Sequence, residues 1–580
     1  MKRHIYFLLF ISLFLVGCED ILDKYPLDKL SPTTYFKTRK ELELYSNSFY
    51  TLLPDAEGIY RECSDDVVLS ILTDEVAGLR VVPDAGDGWD FTKLRDINFL
   101  LENINNCQDY NTRIEYEGLA KFFRAYFYFE KLKRYGEVPW YGKVLGSTDP
   151  DLYKPRDSRN LVMDSIIADI DYAIHTLPEE KNVYRVTKWT ALALKSRLCL
   201  FEGTFRKYHN IDGYETYLDQ CISASSEFLT TSPYKISKSG KTPYQNLFAR
   251  LDADDTEIIL AVDYNSSLSL VHYAQNFTNS STMGKPGMSK RMINSYLMNN
   301  GQRFTDIEGY ETMEFAQECK DRDPRLAQTI RTPGYTRIGE TKKVAPNLAY
   351  TMTGYHITKY TLEPKYDGYK KSESDLPVFR AAEVYLNYAE AAAERGTLTQ
   401  EILEQTTKPI RERVGMPNID MVAANANPDP YLTSAKTGYP NVKGANQGVI
   451  LEIRRERNIE LFMEGFRYYD IIRWKEGKAF EQDFLGMYFP GLGEYDLNED
   501  GIMDICLYQG EKPASFAMLL EVGKQIELSN GTSGYIICHD KTKRTWNEER
   551  DYLYPIPIRE RSLTGGALTQ NPGWVDGLEF

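Results

Sequence analysis

Apolar residues recur at helical spacing over much of this chain. The clearest apolar stripe ends at Gly136, a residue type that often terminates helices, and consists of Leu119, Phe122, Phe123, Tyr126, Phe129 and Leu132. Positions three or four residues apart lie on one face of an α-helix, so the stripe predicts an amphipathic helix. The same pattern predicts helices over about 93–106, 114–135, 159–177, 187–206 and 214–230, and again over about 377–395, 402–413 and 448–464. A capping box, Thr38-Arg39-Lys40-Glu41, predicts a further helix that extends to about Leu53.

Between about residues 232 and 375 this periodicity is lost. Loops rich in Gly, Asn, Ser, Pro and Tyr predominate there, with short strands such as Glu257–Val262, and the chain is again irregular from about 465 onward. Paired amphipathic helices are typical of helical repeats, because each pair buries its apolar face only against a neighbour. Six alanines between 381 and 393 favour the close approach of helices that tetratricopeptide packing requires. The pattern therefore predicts a mainly α fold with tetratricopeptide-like helix pairs, plus an irregular loop-rich region with short strands.

The first residues have the pattern of an export signal. Lys2 and Arg3 precede an apolar run, Ile5 to Val16, which is too short to span a bilayer and fits a signal peptide. The run closes on Leu15-Val16-Gly17-Cys18, which resembles a lipobox. We therefore predict a lipoprotein signal peptide over 1–17, lipidation of Cys18 and an extended tether over 18–34. A plain secretory signal is the alternative.

Acidic residues follow the predicted lipidation site at Glu19, Asp20 and Asp23. They resemble the signal that directs lipoproteins to the cell surface in some Gram-negative bacteria. We expect a lipid-anchored protein of the outer membrane that faces the exterior, bound to membrane lipid through Cys18.

Overall charge and composition narrow the classes of partner. The formal net charge is -15, and such a surface repels phosphate backbones, so we expect no nucleic-acid partner. The 42 tyrosines outnumber the 26 phenylalanines and 6 tryptophans combined, and rings with one polar edge suit polar, ring-shaped ligands. Apart from Cys18 there are seven cysteines and no CxxC pair, which does not indicate a disulfide framework, and Cys199 and Cys221 read as small buried hydrophobes.

The templates of common enzymes do not occur in the sequence. It contains no HExxH, GxSxG, P-loop or dinucleotide fingerprint, and its six histidines are scattered. Composition leaves a glycosidase carboxylate pair open, because such a pair is defined by a separation of about 5–9.5 Å that sequence does not reveal. We predict a protein that is not an enzyme and needs no catalytic cofactor.

One acidic loop has the spacing of a calcium site. Oxygen-bearing side chains occupy positions 1, 3, 5 and 9, Gly501 allows a sharp turn at position 6, and the Ile502 carbonyl follows at position 7. The predicted ligands are Asp496, Asn498, Asp500, Ile502 and Asp504. Position 12 is Leu507, so this is not a full EF-hand, and it resembles the shorter calcium loops of extracellular proteins. The prediction is a structural calcium ion that stiffens the loop; the alternative is a solvated acidic turn.

Six separated blocks of sequence resemble the SusD/RagB family of surface nutrient-binding lipoproteins. They are Leu22 to Pro26 with Ser31 to Phe36; Phe123 to Phe129 with Tyr135 to Pro139; Trp189 to Arg197; Arg380 to Ala391; Glu456-Arg457, Glu460-Leu461, Glu464-Gly465, Arg467, Asp470 and Arg473-Trp474; and Tyr554 to Pro557 with Asn571 to Trp574. The resemblance implies a SusD-like fold in which a helical scaffold carries a loop-rich remainder. It also implies capture of a glycan or oligosaccharide at the cell surface for a SusC-like TonB-dependent β-barrel transporter. Most residues of these blocks have a structural interpretation as ion pairs and core aromatics, so they identify the fold and not the ligand.

On this basis the chain divides into recognisable parts. A SusD-like domain covers 35–580, with an N-terminal helical part over 35–231, a loop-rich insertion over 232–375 and a C-terminal RagB/SusD part over 376–580. Sugar binding requires exposed aromatic faces, and these are expected in loops outside the signature blocks. The candidates are Trp89, which lies in an Asp/Gly turn, and the weaker Tyr60, Tyr264, Tyr273, Phe277 and Tyr296, with Gln275 and Asn276 as hydrogen-bonding partners.

Three alternatives to glycan capture remain open from the sequence. The first is capture of peptides or glycopeptides by the same mechanism. The second is a lipid-anchored glycoside hydrolase, and the third is an adhesive or assembly protein built on helical repeats.

Overall fold

The computed structural model of the protein describes residues 35–580. The predicted signal peptide, Cys18 and the tether therefore lie outside the described residues. Nine helices of seven or more residues form the scaffold of the described part: α1 (Arg39–Ser46), α2 (Thr92–Asn103), α3 (Tyr110–Tyr135), α4 (Arg159–Thr176), α5 (Lys188–Tyr208), α6 (Tyr214–Thr231), α7 (Ala381–Arg395), α8 (Gln447–Glu460) and α9 (Arg467–Arg473).

Short helices and strands make up the loop-rich regions. The short α-helices are Ala56–Tyr60, Asp74–Ala77, Pro243–Asn246, Ala274–Thr278, Lys290–Ser295, Phe315–Glu318, Pro324–Ala327, Gln400–Gln405, Thr407–Glu412, Met421–Ala426, Pro430–Thr433 and Ile558–Leu563. Turns of 3-10 helix are Asn47–Leu52, Ile104–Asn106, Pro150–Tyr153, Ser266–Leu268, Phe304–Asp306, Tyr310–Thr312, Pro364–Tyr366 and Gly477–Glu481. The strands are β1 (Val67–Val68), β2 (Ile258–Val262), β3 (Gly287–Met288), β4 (Leu376–Arg380), β5 (Phe484–Phe489), β6 (Gly493–Tyr495), β7 (Ile505–Tyr508), β8 (Met518–Glu521) and β9 (Gly534–Cys538).

The strands form small ladders and no large sheet within the described residues. β1 pairs with β3, β2 with β4 and β5 with β9, each antiparallel. β7 is the middle strand of a three-stranded sheet, antiparallel to β6 and parallel to β8. The prediction of a mainly α fold with short strands is confirmed.

Helix starts follow local sequence signals, and one difference from the predicted helices has a tertiary cause. The Thr38 side chain accepts from the Glu41 N–H and the Glu41 side chain accepts from the Thr38 N–H, so the predicted capping box is present. The helix predicted over 377–395 begins at Ala381 instead, because 376–380 pairs with β2 as a strand. The helix predicted over 402–413 is interrupted at Thr406.

The helices pack as antiparallel neighbours along the chain. α3 packs against α4 and α5 against α6, while α7 contacts α5, α6 and α8. Close approach in the second pair depends on Gly203: a Cβ there would lie 2.7 Å from the Leu218 side chain. The six alanines of α7 are all buried, as their close-packing role predicts. These contacts have the form of the predicted tetratricopeptide-like pairs.

Charged residues of the signature blocks lie inside this scaffold. Arg197 binds Glu383 at 2.6 Å and Arg473 binds Glu390 at 2.5 Å. Arg380 reaches Glu460 at 2.7 Å, with both side chains almost fully buried. Removing one partner of such a buried pair costs roughly 3–5 kcal/mol, because the other charge is left uncompensated. The structural interpretation of these residues is therefore confirmed.

Two further sequence predictions concern the whole described chain. All seven cysteines of residues 35–580 are free, and Cys199 and Cys221 are fully buried, with Cys221 beside the Ser196 and Ser225 hydroxyls. From Tyr35 onward, no helix combines the length and the hydropathy needed to cross a bilayer.

Candidate functional site

Trp89, the strongest sequence candidate, lies at the edge of the core. Its side chain is 9% exposed and meets the Phe91 and Tyr135 rings edge-on, at centroid distances of 5.5 and 4.9 Å. The turn that carries it is held against α3, because Lys131 and Tyr135 donate to the Gly88 and Asp87 carbonyls. The expectation that an Asp/Gly turn would leave this ring without a core to join is wrong, since α3 supplies that core.

A cleft of about 530 Å³ opens beside Trp89. The first turns of α2, the loop over 139–153 and the helix Ile558–Leu563 line it. Polar groups of its wall are already bonded within the protein: Asn98 donates to the Tyr141 and Lys143 carbonyls, and Arg95 donates to the Leu145 carbonyl. The Trp89 cleft is thus a mainly apolar groove in which Asn98 and Arg95 are engaged internally.

Three of the weaker candidates are buried, so their prediction as ligand-binding residues is wrong. Tyr60 and Phe277 are each 1% exposed, and Tyr296 is fully buried. The Tyr60 ring lies 5.4 Å from that of Phe277, where the helix Ala56–Tyr60 meets the helix Ala274–Thr278. These rings are core residues of the loop-rich region, and none of them presents a face to a ligand. Tyr264 is half-buried, with its ring edge-on to His272 at 4.6 Å.

Tyr273 lies differently, beside a tyrosine that was not among the sequence candidates. Tyr369 is 65% exposed, and its ring lies 4.9 Å from the Tyr273 ring at an angle of 43°. The two hydroxyls are hydrogen-bonded at 3.3 Å, and this bond raises the pKa of the Tyr273 hydroxyl. The exposed residues Leu268 and Leu270 precede Tyr273 in the chain. We name the Tyr273–Tyr369 pair the tyrosine platform.

Backbone pairing places the two loops of the tyrosine platform side by side. His272 and Ser372 form an antiparallel bridge, so Tyr273 lies across from Lys371. The Gln275 N–H donates to the Ser372 hydroxyl. Residues 96 positions apart in sequence are thereby brought to one surface.

Buried polar side chains hold the Tyr369 loop in place. Asp367 accepts from the Gln275 amide at 2.6 Å and from the Arg337 guanidinium at 2.8 and 2.9 Å. The Asn276 amide donates to the Asp367 carbonyl. Gln275 and Asn276 therefore do not face the surface as predicted ligand contacts; they fasten one loop to the other. A loop fixed in this way loses less conformational entropy when it binds a ligand.

A sequence signal for Tyr369 existed. The ring lies between Gly368 and Lys370 in a polar, glycine-containing turn, which is the same context that favoured Trp89. Trp89 is buried because α3 covers its turn, whereas no helix of residues 35–580 covers the Tyr369 turn, and its ring is exposed.

The predicted calcium loop adopts a set of side-chain to backbone hydrogen bonds. Asp496 accepts from the Gly501 N–H, Asp500 from the Ile502 N–H, and Asp504 from the Leu497 N–H. Burial raises the pKa of the Asp504 carboxyl, and the charges of Asp500 and Asp496 add to this effect. Among the described residues, no group of three or more His, Cys, Asp or Glu side chains is arranged to hold a metal ion. The residue types suit calcium, but binding would require these carboxylates to turn from the backbone, and calcium here stays a prediction.

Comparison with known proteins places this geometry in a family. The model described as "SusD family" matches residues 254–574, which is more than half of the chain. The chain belongs to the SusD family. A second model, described as "Starch-binding associating with outer membrane", matches residues 89–200.

Relatives of similar length extend the match over most of the chain. SusD-like protein P38 of Formosa agariphila is 24% identical over 509 residues, covering 80% of this chain and 90% of that protein. SusD-like protein P2 of the same organism is 24% identical over 517 residues, covering 82% and 92%.

Solved structures of the SusD family have the same fold. A SusD-like protein from Bacteroides fragilis superposes with a TM-score of 0.69 at 22% identity, covering 95% of this chain and 100% of that one. A SusD-like carbohydrate binding protein from Bacteroides fragilis gives a TM-score of 0.66 at 20% identity, covering 91% and 99%. At these identities the likeness establishes the fold.

Proposed function

We propose that this protein binds glycans at the tyrosine platform and delivers them to a SusC-like TonB-dependent β-barrel in the outer membrane. The pair formed by the half-buried Tyr273 and the exposed Tyr369 carries the proposal. Faces of tyrosine stack on the apolar side of a pyranose, and their hydroxyls bond to its rim. Membership of a family that includes a protein described as carbohydrate-binding supports this choice of ligand.

The strength of binding follows from the small number of rings. Each aromatic contact contributes roughly 0.5–1.5 kcal/mol, so two contacts support about millimolar affinity, near 4 kcal/mol in total with hydrogen bonds. A polymer engaged by many copies on one surface would be held far more tightly through avidity. Weak single sites also suit a protein that must release its ligand to a transporter.

The carboxylates closest to the tyrosine platform support binding without catalysis. Glu57 pairs with Arg61 at 2.8 Å, and Asp367 is held by Arg337. Both carboxylates are therefore engaged in ion pairs within the protein, which supports a binding role.

Replacing both platform tyrosines tests the proposal. Tyr273→Ala with Tyr369→Ala should weaken binding of the purified protein to its glycan by roughly 5- to 100-fold in a polysaccharide panel, because two stacking contacts are lost. Isothermal titration or affinity electrophoresis measures the change.

Tyr153→Ala is the matched control. Tyr153 is 53% exposed and lines the Trp89 cleft, so this variant should bind as the parent does. If Tyr153→Ala lost binding and the double tyrosine variant did not, the glycan site would lie in the Trp89 cleft instead. Steady release of reducing ends would show a hydrolase, and binding of peptides but no glycan would favour peptide capture.

A further inference from the structure

We infer that the glycan bound at the tyrosine platform is anionic, carrying carboxylate or sulfate groups. This inference rests on the proposed function and adds the charge class of its ligand. A cluster of lysines around Tyr369, on a protein of strongly negative net charge, carries it.

Three lysines lie in the seven-residue segment 365–371, which contains Tyr369. Lys365, Lys370 and Lys371 are all exposed, while the whole chain has a formal net charge of -15. The Lys370 ammonium lies 5.9 Å from the centroid of the Tyr369 ring. Lys371 is opposite Tyr273 because of the His272–Ser372 bridge. Lys370 thus lies beside the Tyr369 ring, the backbone places Lys371 across from Tyr273, and Lys365 lies over the neighbouring Tyr366 ring at 4.7 Å.

These lysines are not used in ion pairs of the described structure. Lys365, Lys370 and Lys371 form no ion pair with a carboxylate of residues 35–580 within 4.0 Å, whereas Lys143, Lys188 and Lys408 each do. Asp367 is the one acidic residue between Lys365 and Lys371. It already accepts two hydrogen bonds from the Arg337 guanidinium, which neutralises its charge. The loop thus presents an excess of positive charge to solvent.

Other acids near the tyrosine platform only partly offset this charge. Glu57 is paired with Arg61. Glu373 accepts from the Ser266 N–H at 3.0 Å, and hydrogen bonds from Ser266 lower the pKa of its carboxyl. Besides the hydrogen bond with Tyr366, the carboxylates of Glu363 and Glu373 both favour the charged form of Lys365 and raise its pKa. Lys370 and Lys371 remain as the uncompensated pair beside the rings.

The backbone at Lys370 is a second, independent feature of the turn. Its φ is 55°, in the left-handed region that glycine and asparagine occupy at lower cost. Local conformation therefore does not explain a lysine at this position. Lys285 and Lys475 share this conformation, so the φ of Lys370 describes the turn that projects it from the surface next to Tyr369 and does not itself indicate a ligand.

The combination of rings and ammonium groups defines a chemistry. A pyranose that stacks on Tyr273 and Tyr369 places its ring substituents at the rim, within reach of the flexible lysine side chains. A carboxylate or sulfate there gains an ion pair, whereas a neutral hydroxyl does not. Because the site is exposed, the contribution of charge should fall steeply with added salt.

Matched pairs of polymers test the inference. The probes are polygalacturonate with its methyl ester, and dextran sulfate with dextran, since each pair differs only in charge. At low salt the parent protein should bind the anionic member of at least one pair ten times or more as tightly as the neutral member. The uronate and sulfate arms identify which anion is preferred.

Variants then assign the effect to the loop. Each exposed ion pair changes affinity by roughly 1.5- to 5-fold, so the triple change K365Q, K370Q and K371Q should weaken anionic binding by roughly 3- to 100-fold. The control K40Q, K436Q and K443Q removes the same charge from exposed lysines on other elements, and it should leave binding unchanged. Thermal melting of both triple variants should match that of the parent.

The outcomes separate this inference from the proposed function. Equal binding of neutral and anionic polymers, lost only in the double tyrosine variant, would overturn the anionic ligand and leave the platform in place. Binding of anions that needs the lysines but not the tyrosines would overturn both the platform and the inference. Stronger binding to phosphatidylglycerol vesicles than to any polymer would replace the glycan with a membrane surface, and no binding to any probe would refute the anionic ligand.

Discussion

Individual aromatic residues have very different roles in this protein, although their local sequences look alike. Trp89 and Tyr369 both lie in polar turns that contain glycine. Trp89 is 9% exposed and Tyr369 is 65% exposed. A ring that packs edge-on against others contributes to stability, while a ring that faces solvent is available to a ligand. Substitution should separate these roles.

Trp89→Ala should destabilise the protein and leave glycan binding at the tyrosine platform intact. Losing contacts with Phe91 and Tyr135 removes buried apolar surface and leaves a cavity, at a cost of about 3 kcal/mol. Chemical denaturation measures the loss, and Tyr369→Ala, which removes an exposed ring, should show none. Unchanged stability together with weakened binding would return Trp89 to the ligand site.

A buried acid at Glu62 should make stability depend on pH. Its side chain is 8% exposed, and burial raises the pKa of its carboxyl to about 8. The folded state therefore keeps a proton that the unfolded chain releases above about pH 4.5, so this group lowers stability as pH rises toward 8.

Glu62→Gln should remove that penalty. The variant should melt a few degrees higher than the parent at pH 8 and show little difference at pH 5, because the parent carboxyl is then protonated in the folded state. Differential scanning calorimetry at the two pH values measures this. Glu180→Gln, at an exposed position, is the control, and an equal shift at both pH values would contradict the pKa of Glu62.

Elements of the loop-rich regions are held by polar side chains more than by long strands. In the Tyr369 loop, Asp367 joins Gln275 and Arg337. In the loop over 496–504, aspartates instead bond to backbone N–H groups of their own turn. The first arrangement fastens a loop to the body of the protein, whereas the second is local. A local arrangement is the kind that a bound cation could replace.

Calcium should stabilise the 496–504 loop if its spacing reflects metal binding. Chelation is expected to lower the melting temperature, and Asp500→Ala should abolish that sensitivity because one carboxylate ligand is removed. Thermal melting with and without a chelator measures the effect. Asp483→Ala, an exposed aspartate outside the loop, should retain the response, and a melting temperature that chelation never changes would identify a solvated acidic turn.

At the scale of the whole molecule, the helical scaffold supports the tyrosine platform, the proposed ligand-binding surface, which is built from distant segments. Buried pairs such as Arg473–Glu390 join α9 to α7. The tyrosine platform joins residues 273 and 369 on the loop-rich side of the chain. This division suits a surface receptor whose scaffold stays rigid while its loops contact the ligand.

Delivery to a transporter should be visible in membranes. Tagged protein extracted with a mild detergent should bring a TonB-dependent β-barrel with it, because the proposed function requires ligand transfer between the two. Cys18→Ser should move the protein out of the membrane fraction, since lipid is its predicted anchor. An unaltered membrane fraction in that variant would contradict lipidation, and purification without a barrel would contradict the partnership.

Local patterns in the sequence were enough to predict the helical scaffold and the resemblance to the SusD family. Helical periodicity and capping depend on residues a few positions apart, so features such as the α3 stripe and the Thr38 capping box could be predicted from local spacing. The signature charges were also interpreted correctly as buried pairs, because buried arginines and glutamates require partners.

Which aromatic residues reach solvent depends on the tertiary structure. Exposure depends on what other segments cover: α3 covers Trp89, and the helix Ala56–Tyr60 packs against the one that carries Phe277. The described residues leave Tyr369 65% exposed, and its partner in the platform, Tyr273, is 96 positions away in the sequence. Local pattern carries no information about such contacts. The sequence therefore predicts aromatic residues for a ligand site, while the choice of Tyr273 and Tyr369 for the proposed site depends on the fold.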